Sequence, residues 1–156
     1  MEITDFLLRL LAAMGAGGFV GLEREWSNKD AGLKTNMLVA VGACIYVLIS
    51  IIINRQSDYQ TDITRIIGQI VTGIGFLGAG VILHKGVSIH GLTTAATIWC
   101  SAALGCLAGL ALFVELAICT VAVLTINLLF EKVENWLEKS RKEFLPEEQK
   151  SKKDNK

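Results

Sequence analysis

The chain has 156 residues, 52% of them hydrophobic, a mean hydropathy of +0.49 and a single proline. Its apolar residues come in long runs rather than periodic faces, which excludes an ordinary soluble domain and points to an all-α, polytopic membrane protein. The formal charge of zero hides an asymmetry, because eight of the fifteen Lys and Arg residues lie after Phe130.

The first apolar run starts with the acids Glu2 and Asp5 and ends in Glu23-Arg24-Glu25, so a cleavable signal peptide is not expected. A first span is expected over 4–22, with Thr4 or Asp5 as its N-cap. Asp5 precedes Arg9 by one turn, the spacing of an i,i+4 ion pair. Arg9 either snorkels to the nearer interface or faces a polar cavity. The run from Gly15 to Gly21 lacks the G-x-G-x-x-G spacing of a dinucleotide loop, and no strand precedes it. Gly17 and Gly21 instead make a G-x-x-x-G helix-packing pair. Trp26 then marks interface depth. Asn36 is the expected N-cap of a second span over 37–53, whose neck carries Arg55 and Asp58.

A third span is expected over 63–83, capped by Asp62. It holds five glycines, Gly68, Gly73, Gly75, Gly78 and Gly80. Each glycine costs roughly 1 kcal/mol against alanine in a helix in water, and in lipid the usual compensation is close approach of a neighbouring helix. At about 100° per residue, Gly68, Gly75, Gly78 and Ala79 share one strip, Gly73 and Gly80 another, and Arg65, Gln69, Thr72 and Phe76 a ridge between them. This pattern predicts the central helix of the bundle. Its polar residues lie in one half only, so a site along it is expected to open outward.

A tight connection over 84–90 follows, holding His84 and His90. The next forty residues, 91–130, contain Glu115 as their only charge. As one helix they would extend about 60 Å, twice the hydrocarbon thickness. They must be two spans, 92–109 and 111–130, with the turn marked by Gly105 and Gly109. Residues 131–145 read as an amphipathic cytoplasmic helix carrying Val133, Trp136, Leu137, Ser140 and Phe144 on one side. The polar tail, 146–156, is expected to be disordered.

Five spans sort the basic residues cleanly. Arg24, Lys29, Lys34, Lys85 and eight tail residues, twelve in all, fall on one side, and Arg9, Arg55 and Arg65 on the other. The positive-inside rule then places the C-terminus in the cytoplasm and the N-terminus outside. At an offset of 59 residues, Gly21, Gly32, Leu33 and Thr35 match Gly80, Gly91, Leu92 and Thr94, a faint parallel repeat.

The topology gathers polar residues into two layers. The outer layer holds Asp5, Arg9, Asp62, Arg65, Gln69 and Glu115. Asp62, Arg65 and Gln69 share a helix face and either coordinate an ion or relay protons, or form a structural clasp in which Arg65 pairs with Asp62 and Gln69 bonds a neighbouring helix. The inner layer holds Glu23, Arg24, Glu25, Lys34, Thr35, Asn36, His84, Lys85, His90, Thr93 and Thr94. Glu23 and Glu25 can attract a divalent cation, but they point to different sides of a helix, and an interfacial charge cluster is the plainer reading. His84 and His90 have poor ligand spacing, although they can titrate near neutral pH. Cys44, Cys100, Cys106 and Cys119 lie inside apolar runs without C-x-x-C spacing or a neighbouring histidine, and read as small buried hydrophobes. No nucleophile–base pair, phosphate loop or H-E-x-x-H motif occurs. Neither an enzyme nor a bound cofactor is expected, and no metal-ligand set is assigned.

Four motifs carry a family likeness: Gly21-Leu22-Glu23-Arg24, Ala31-Gly32-Leu33-Lys34-Thr35-Asn36, Gly73-Ile74-Gly75-Phe76-Leu77-Gly78-Ala79-Gly80-Val81-Ile82, and Gly91-Leu92-Thr93-Thr94-Ala95-Ala96-Thr97-Ile98-Trp99-Cys100. Over most of 7–130 the chain resembles the MgtC/SapB family of bacterial inner-membrane proteins. The resemblance implies a multi-pass inner-membrane protein tied to magnesium homeostasis and, in pathogens, to survival in low magnesium and inside macrophages. It implies action through membrane partners, the ATP synthase among them, rather than magnesium carriage. The family's motif residues fall here on Glu23, Arg24, Asp62, Arg65, Gln69, Thr93, Thr94 and Trp99. Some virulence-associated members have Asn where this chain has Thr93. Longer members also carry a soluble C-terminal domain, and this chain is expected to be a short member without it.

Two functions are therefore expected. The first is a regulator that docks on another membrane protein or on a second copy of itself through glycine-grooved helices, with the Gly17–Gly21 and Gly105–Gly109 pairs as candidate surfaces and no nucleic acid involved. The alternative is an ion transporter or channel for Mg2+ or H+, with Asp62, Arg65, Gln69, Glu115 and Arg9 lining an outer vestibule.

Overall fold

The structure, a computed structural model, describes the backbone of residues 1–56, 62–85 and 88–144 and the side chains of 1–56, 62–82 and 89–129. The expectations for Asp58, for the side chains of His84 and Lys85, for the apolar face of 131–145 and for the tail lie outside the described residues. The described chain is helical apart from one short hairpin. Its elements are α1 (Ile3–Trp26), α2 (Leu33–Gln56), α3 (Ile63–Val81), β1 (Leu83–Lys85), β2 (Ser88–His90), α4 (Leu92–Gly109) and α5 (Phe113–Phe144). β1 and β2 pair antiparallel, Leu83 opposite His90. Contacts divide the chain into two units, Met1–Leu124 and Thr125–Lys156. The second unit is helical up to Phe144.

Four helices, α1 to α4, are long and apolar enough to cross a bilayer. The described apolar part of α5, Phe113–Leu129, is shorter. The forty-residue run breaks where its length demanded. α4 ends at Gly109, Ala111 takes a left-handed φ of 59°, and α5 starts at Phe113. Burial is inverted relative to a soluble protein. Leu7, Leu8, Leu11, Phe19, Val121 and Ile126 are exposed, while Arg24, Asn36, Thr94 and Ser101 are buried. Outward apolar side chains and inward polar ones are what a lipid solvent selects.

Helices in lipid gain nothing from hydrophobic burial against one another, so backbone proximity and van der Waals contact decide the packing. Here that proximity is supplied by Gly17, Gly21, Gly105 and Gly109. A Cβ on Gly17 would lie 2.6 Å from the Asn36 carbonyl, and one on Gly21 2.6 Å from the Leu33 Cα. From α4, a Cβ on Gly105 would run into the Ala40 carbonyl, and one on Gly109 would lie 2.8 Å from the Val47 Cβ. Both glycine pairs therefore press on α2 and are used within the bundle, not as the docking surfaces expected of them. α2 and α4 are parallel and in strict register, because Asn36 meets Ser101, Ala40 meets Gly105 and Cys44 meets Gly109, each pair 65 residues apart. The core built around this seam comprises Ala13, Val20, Cys44, Leu48, Leu104, Ala108 and Leu116.

The expectation of a central third helix is overturned. Only 6% of the α3 span is buried, against 56% for α4, and Gly78 is its one buried residue. A Cβ added at Gly68, Gly73, Gly75 or Gly80 would meet nothing within 4 Å, so these four do not serve as packing glycines here. Ile67, Ile70 and Ile74 touch the α2–α4 seam, and Gly78 faces Ala95. The centre is the α2–α4 pair, with α1 against one side and α3 loosely against another.

Helix starts also differ from the expected caps. α1 begins at Ile3 after Glu2, not at Thr4 or Asp5. α2 begins one turn earlier than expected, at Leu33, because Glu25 Oε2 accepts from the Leu33 N–H at 3.2 Å and takes over the N-terminal role given to Asn36. Asp62 does cap α3, accepting from the Thr64 N–H at 2.9 Å. The offset-59 echo does not preserve roles: Gly21 presses on Leu33, whereas Gly80 meets nothing within 4 Å. Gly91 holds a φ of 88° against the Val81 carbonyl, a conformation and an approach that only glycine tolerates.

Candidate functional site

The outer residues separate into two groups that do not meet. Arg9, mostly buried, makes a bidentate pair with Asp5, Nε to Oδ1 and Nη2 to Oδ2 both at 2.9 Å. Its remaining arm, Nη1, donates to the Gly109 carbonyl at 2.8 Å. Gly109 is the last residue of α4, where carbonyls lack intrahelical donors and the helix dipole is negative. Arg9 therefore ties α1 to the end of α4.

Asp62, Arg65 and Gln69 lie exposed on α3, and Glu115 is exposed in the first turn of α5. Asp62 accepts from the Thr64 Oγ1 at 2.7 Å as well as from its N–H, and these two bonds, more than the nearby Arg65, hold its carboxyl below the ordinary carboxylate range. The clasp expected between Arg65 and Asp62 is thus replaced by a helix cap. Among the described residues no hydrogen bond or ion pair joins Arg9, Asp62, Arg65, Gln69 and Glu115 to one another.

A folded-state pKa below the unfolded value means that the cap contributes fully above the ordinary aspartate range and is lost as pH falls through the lowered value. The protection factor of the Thr64 amide, the slowing of its exchange relative to an unstructured chain at the same pH, is therefore expected to be high at neutral pH and to fall as Asp62 is protonated on acidification. In Asp62→Ala the protection factor should be low at both. Equal protection in the variant at neutral pH would remove the capping role.

The inner residues do converge. Arg24, 3% exposed, donates Nη2 to Thr94 Oγ1 at 2.9 Å, linking the end of α1 to the first turn of α4. Glu23 is buried beside it and accepts from Ser27 Oγ at 3.2 Å, while Glu25 points the other way, onto Leu33. Asn36 is fully buried. Its Nδ2 donates to the Ala31 and Gly32 carbonyls, and its Oδ1 accepts from Ser101 Oγ at 2.7 Å. Lys34 and Thr93 are exposed and stand outside this network.

Two members were not singled out from sequence, Thr97 and Ser101, both buried on α4. The signal for them was present, since Thr94, Thr97 and Ser101 are spaced i, i+3, i+7 on one face. Thr97 satisfies itself by donating to the Thr93 carbonyl at 2.9 Å. The whole cluster is a row of hydroxyls along α4 joined by the Asn36 amide of α2 and closed at the N-terminal end of α4 by a guanidinium. Chemically it holds charge and fixes helix register.

No group of three or more His, Cys, Asp or Glu side chains gathers among the described residues. All four cysteines are free; Cys44 and Cys106 are buried, and Cys44 Sγ lies 3.7 Å from the Arg9 carbonyl. Two apolar cavities flank α3. One of about 640 Å³ lies against α2, with Gln69 and Tyr46 as its polar lining, and one of about 310 Å³ lies against α4 beside Trp99.

Comparison with known proteins places this architecture. A family model described as the MgtC family matches residues 10–136. An uncharacterized protein of Synechocystis is 48% identical over 128 residues, covering 82% of this chain and 53% of that protein. Protein MgtC of Salmonella typhimurium is 46% identical over 132 residues, covering 85% of this chain and 55% of its own length. Protein MgtC of Brucella abortus is 45% identical over 129 residues, with coverages of 83% and 52%. The chain spans about half the length of the relatives it matches. No solved structure matches it. The matched stretch enters in α1, contains the whole Arg24–Thr94 and Asn36–Ser101 network, and ends in α5; the chain belongs to the MgtC family.

Proposed function

We propose that this chain is a five-span inner-membrane regulator linked to magnesium homeostasis, acting on other membrane proteins through helix–helix contacts and catalysing no reaction itself. The magnesium link comes with the resemblance to MgtC/SapB proteins. The observation that carries the regulatory reading is how the intramembrane polar groups are used. Arg9 binds Asp5 and the end of α4, Arg24 binds Thr94, and Asn36 binds Ser101 and the preceding loop. These groups join helices rather than line a passage, and the two described cavities are almost wholly apolar. A carrier for Mg2+ or protons needs polar groups facing its path.

Topology follows from helix order and charge. α1 and α4 run antiparallel, since Arg9 meets Gly109 and Arg24 meets Thr94, which supports Arg24 and Thr94 sharing one side of the membrane and Arg9 the other. With α5 as a fifth span of about 17 residues, the low end of the usual range, the C-terminus falls on the Arg24 side together with the twelve basic residues. That side is the cytoplasm.

The test is reconstitution of the purified full-length chain in liposomes. Magnesium and proton flux should not exceed that of empty liposomes, while affinity purification from native membranes should recover a stoichiometric membrane partner. A saturable flux abolished by Asp62→Asn would establish the transporter reading instead. Reporter fusions placing Lys85 outside would overturn the topology.

A further inference from the structure

α3 is seated unlike α1, α2 and α4. Those three meet at backbone distance through Gly17, Gly21, Gly105 and Gly109. α3 buries only Gly78, whose added Cβ would sit at an ordinary 3.6 Å from the Ala95 Cβ. Its inner end is held more firmly than the rest. Gly91 is locked against the Val81 carbonyl, and the β1–β2 hairpin joins α3 to α4 directly. Above that anchor, apolar grooves of about 640 and 310 Å³ open on the two flanks of α3.

The larger groove has a particular wall composition. Gly73 of α3 lines one side, and Gly42, the only glycine in α2, lines the other together with Ala43. A Cβ at Gly42 or at Gly73 would meet nothing within 4 Å. Small residues on facing helices permit the backbone approach already made by Gly105 at Ala40. The same groove carries one polar group on each wall, Tyr46 on α2 and Gln69 on α3. Gln69 lies seven residues below Asp62, about 10 Å down its helix, and Tyr46 lies ten residues from the end of α2, about 15 Å. Both are at hydrocarbon depth, where a polar side chain takes a protein partner. Neither side chain has a hydrogen bond among the described residues.

We propose that α3 has a second, closed seating on α2, in which Gly73 meets Gly42 and the Gln69 amide bonds to the Tyr46 hydroxyl. The helix rocks about its inner anchor at Gly78, Ala95 and Gly91. As the groove on the α2 side closes, the one beside Trp99 and Leu107 on the α4 side widens. The rigid α1–α2–α4 unit is the frame, and α3 is the moving part. This holds independently of which protein the chain regulates, since it concerns one helix within one copy.

The experiment uses the full-length chain in membranes, with the four native cysteines replaced by alanine and Gly42→Cys and Gly73→Cys introduced together. A disulfide needs Cβ atoms about 4 Å apart and Cα atoms within about 7 Å, so this pair bridges only when the walls come together. Oxidation is expected to give an intramolecular bond in the monomer band, and adding Gln69→Leu or Tyr46→Phe should slow it about threefold to tenfold, the span of one membrane hydrogen bond. Gly78→Cys with Ala95→Cys serves as the folding reference, because those positions already touch. Bridging of the reference pair without bridging of 42 and 73 would overturn the proposal. So would a bond between two chains from Gly73→Cys alone, which would mean that a second copy covers this wall. An unchanged rate in Gln69→Leu would overturn the Gln69–Tyr46 contact.

Discussion

Gly105→Val is expected to break the bundle, whereas Gly68→Ala and Gly75→Ala should leave it as stable or more so. A side chain at Gly105 has no room, because its first carbon would strike the Ala40 carbonyl and lie 2.9 Å from the Ala40 Cα. Backbone cannot rotate away as a side chain can, so α4 must withdraw from α2 along the whole seam. Forced overpacking of this kind costs roughly 3 kcal/mol, and losing the seam also loosens Gly109 from Val47. Gly68 and Gly75 are the opposite case, with no atom within 4 Å of the added carbon. There alanine only improves helix propensity, by up to about 1 kcal/mol. The measurement is loss of helical signal during denaturing-detergent titration of the purified chain. If the order were reversed, with Gly75→Ala more damaging than Gly105→Val, the third helix would be the centre after all.

That contrast shows why the fold was only partly legible. The number of helices, the break near Gly109, the Asp62 cap and the Asp5–Arg9 pair are local matters. Run length, cap chemistry and i,i+4 spacing decide them within a few residues. Centrality is not local. A glycine states that a neighbour is allowed to approach, not that one does, and five such permissions on α3 outweighed two pairs elsewhere. α2 was inconspicuous because it receives the glycines of its neighbours. It offers Ala40, Val47 and its carbonyls as the surface against which they press. The polar sites divide along the same line. Arg24 and Thr94 were placed in one layer by topology, and they do meet. The outer set shared a layer too, but α3 turns its isoleucines to the core and leaves Arg65 and Gln69 exposed, and no bond joins them to Arg9.

Asn36→Ala should be the most damaging polar substitution, and its effect should depend on Ser101. The Asn36 amide does two jobs. Its nitrogen gathers the Ala31 and Gly32 carbonyls at the start of α2, and its oxygen takes the Ser101 hydroxyl from α4. Truncation removes three hydrogen bonds and leaves the fully buried Ser101 hydroxyl without that acceptor, an expected loss of about 2–4 kcal/mol. Ser101→Ala loses only the interhelical bond, about 1 kcal/mol. The double variant should cost less than the two combined, with a coupling of about 0.5–1.5 kcal/mol, because the stranded hydroxyl is gone. The consequence extends beyond stability. Asn36–Ser101 is the first rung of a ladder that continues through Ala40–Gly105 to Cys44–Gly109 at the same offset. Smooth glycine contacts tolerate sliding by a turn, and a single directional bond does not, much as one buried asparagine sets register in a coiled coil. In the Asn36→Ala background, with the native cysteines replaced by alanine, spin labels at the exposed Leu38 of α2 and Trp99 of α4 should therefore show a broadened distance distribution with a second population displaced by one turn, about 5 Å. If the single variant costs under about 1 kcal/mol and the label distance stays as sharp as in the parent, register is fixed by packing and not by this bond.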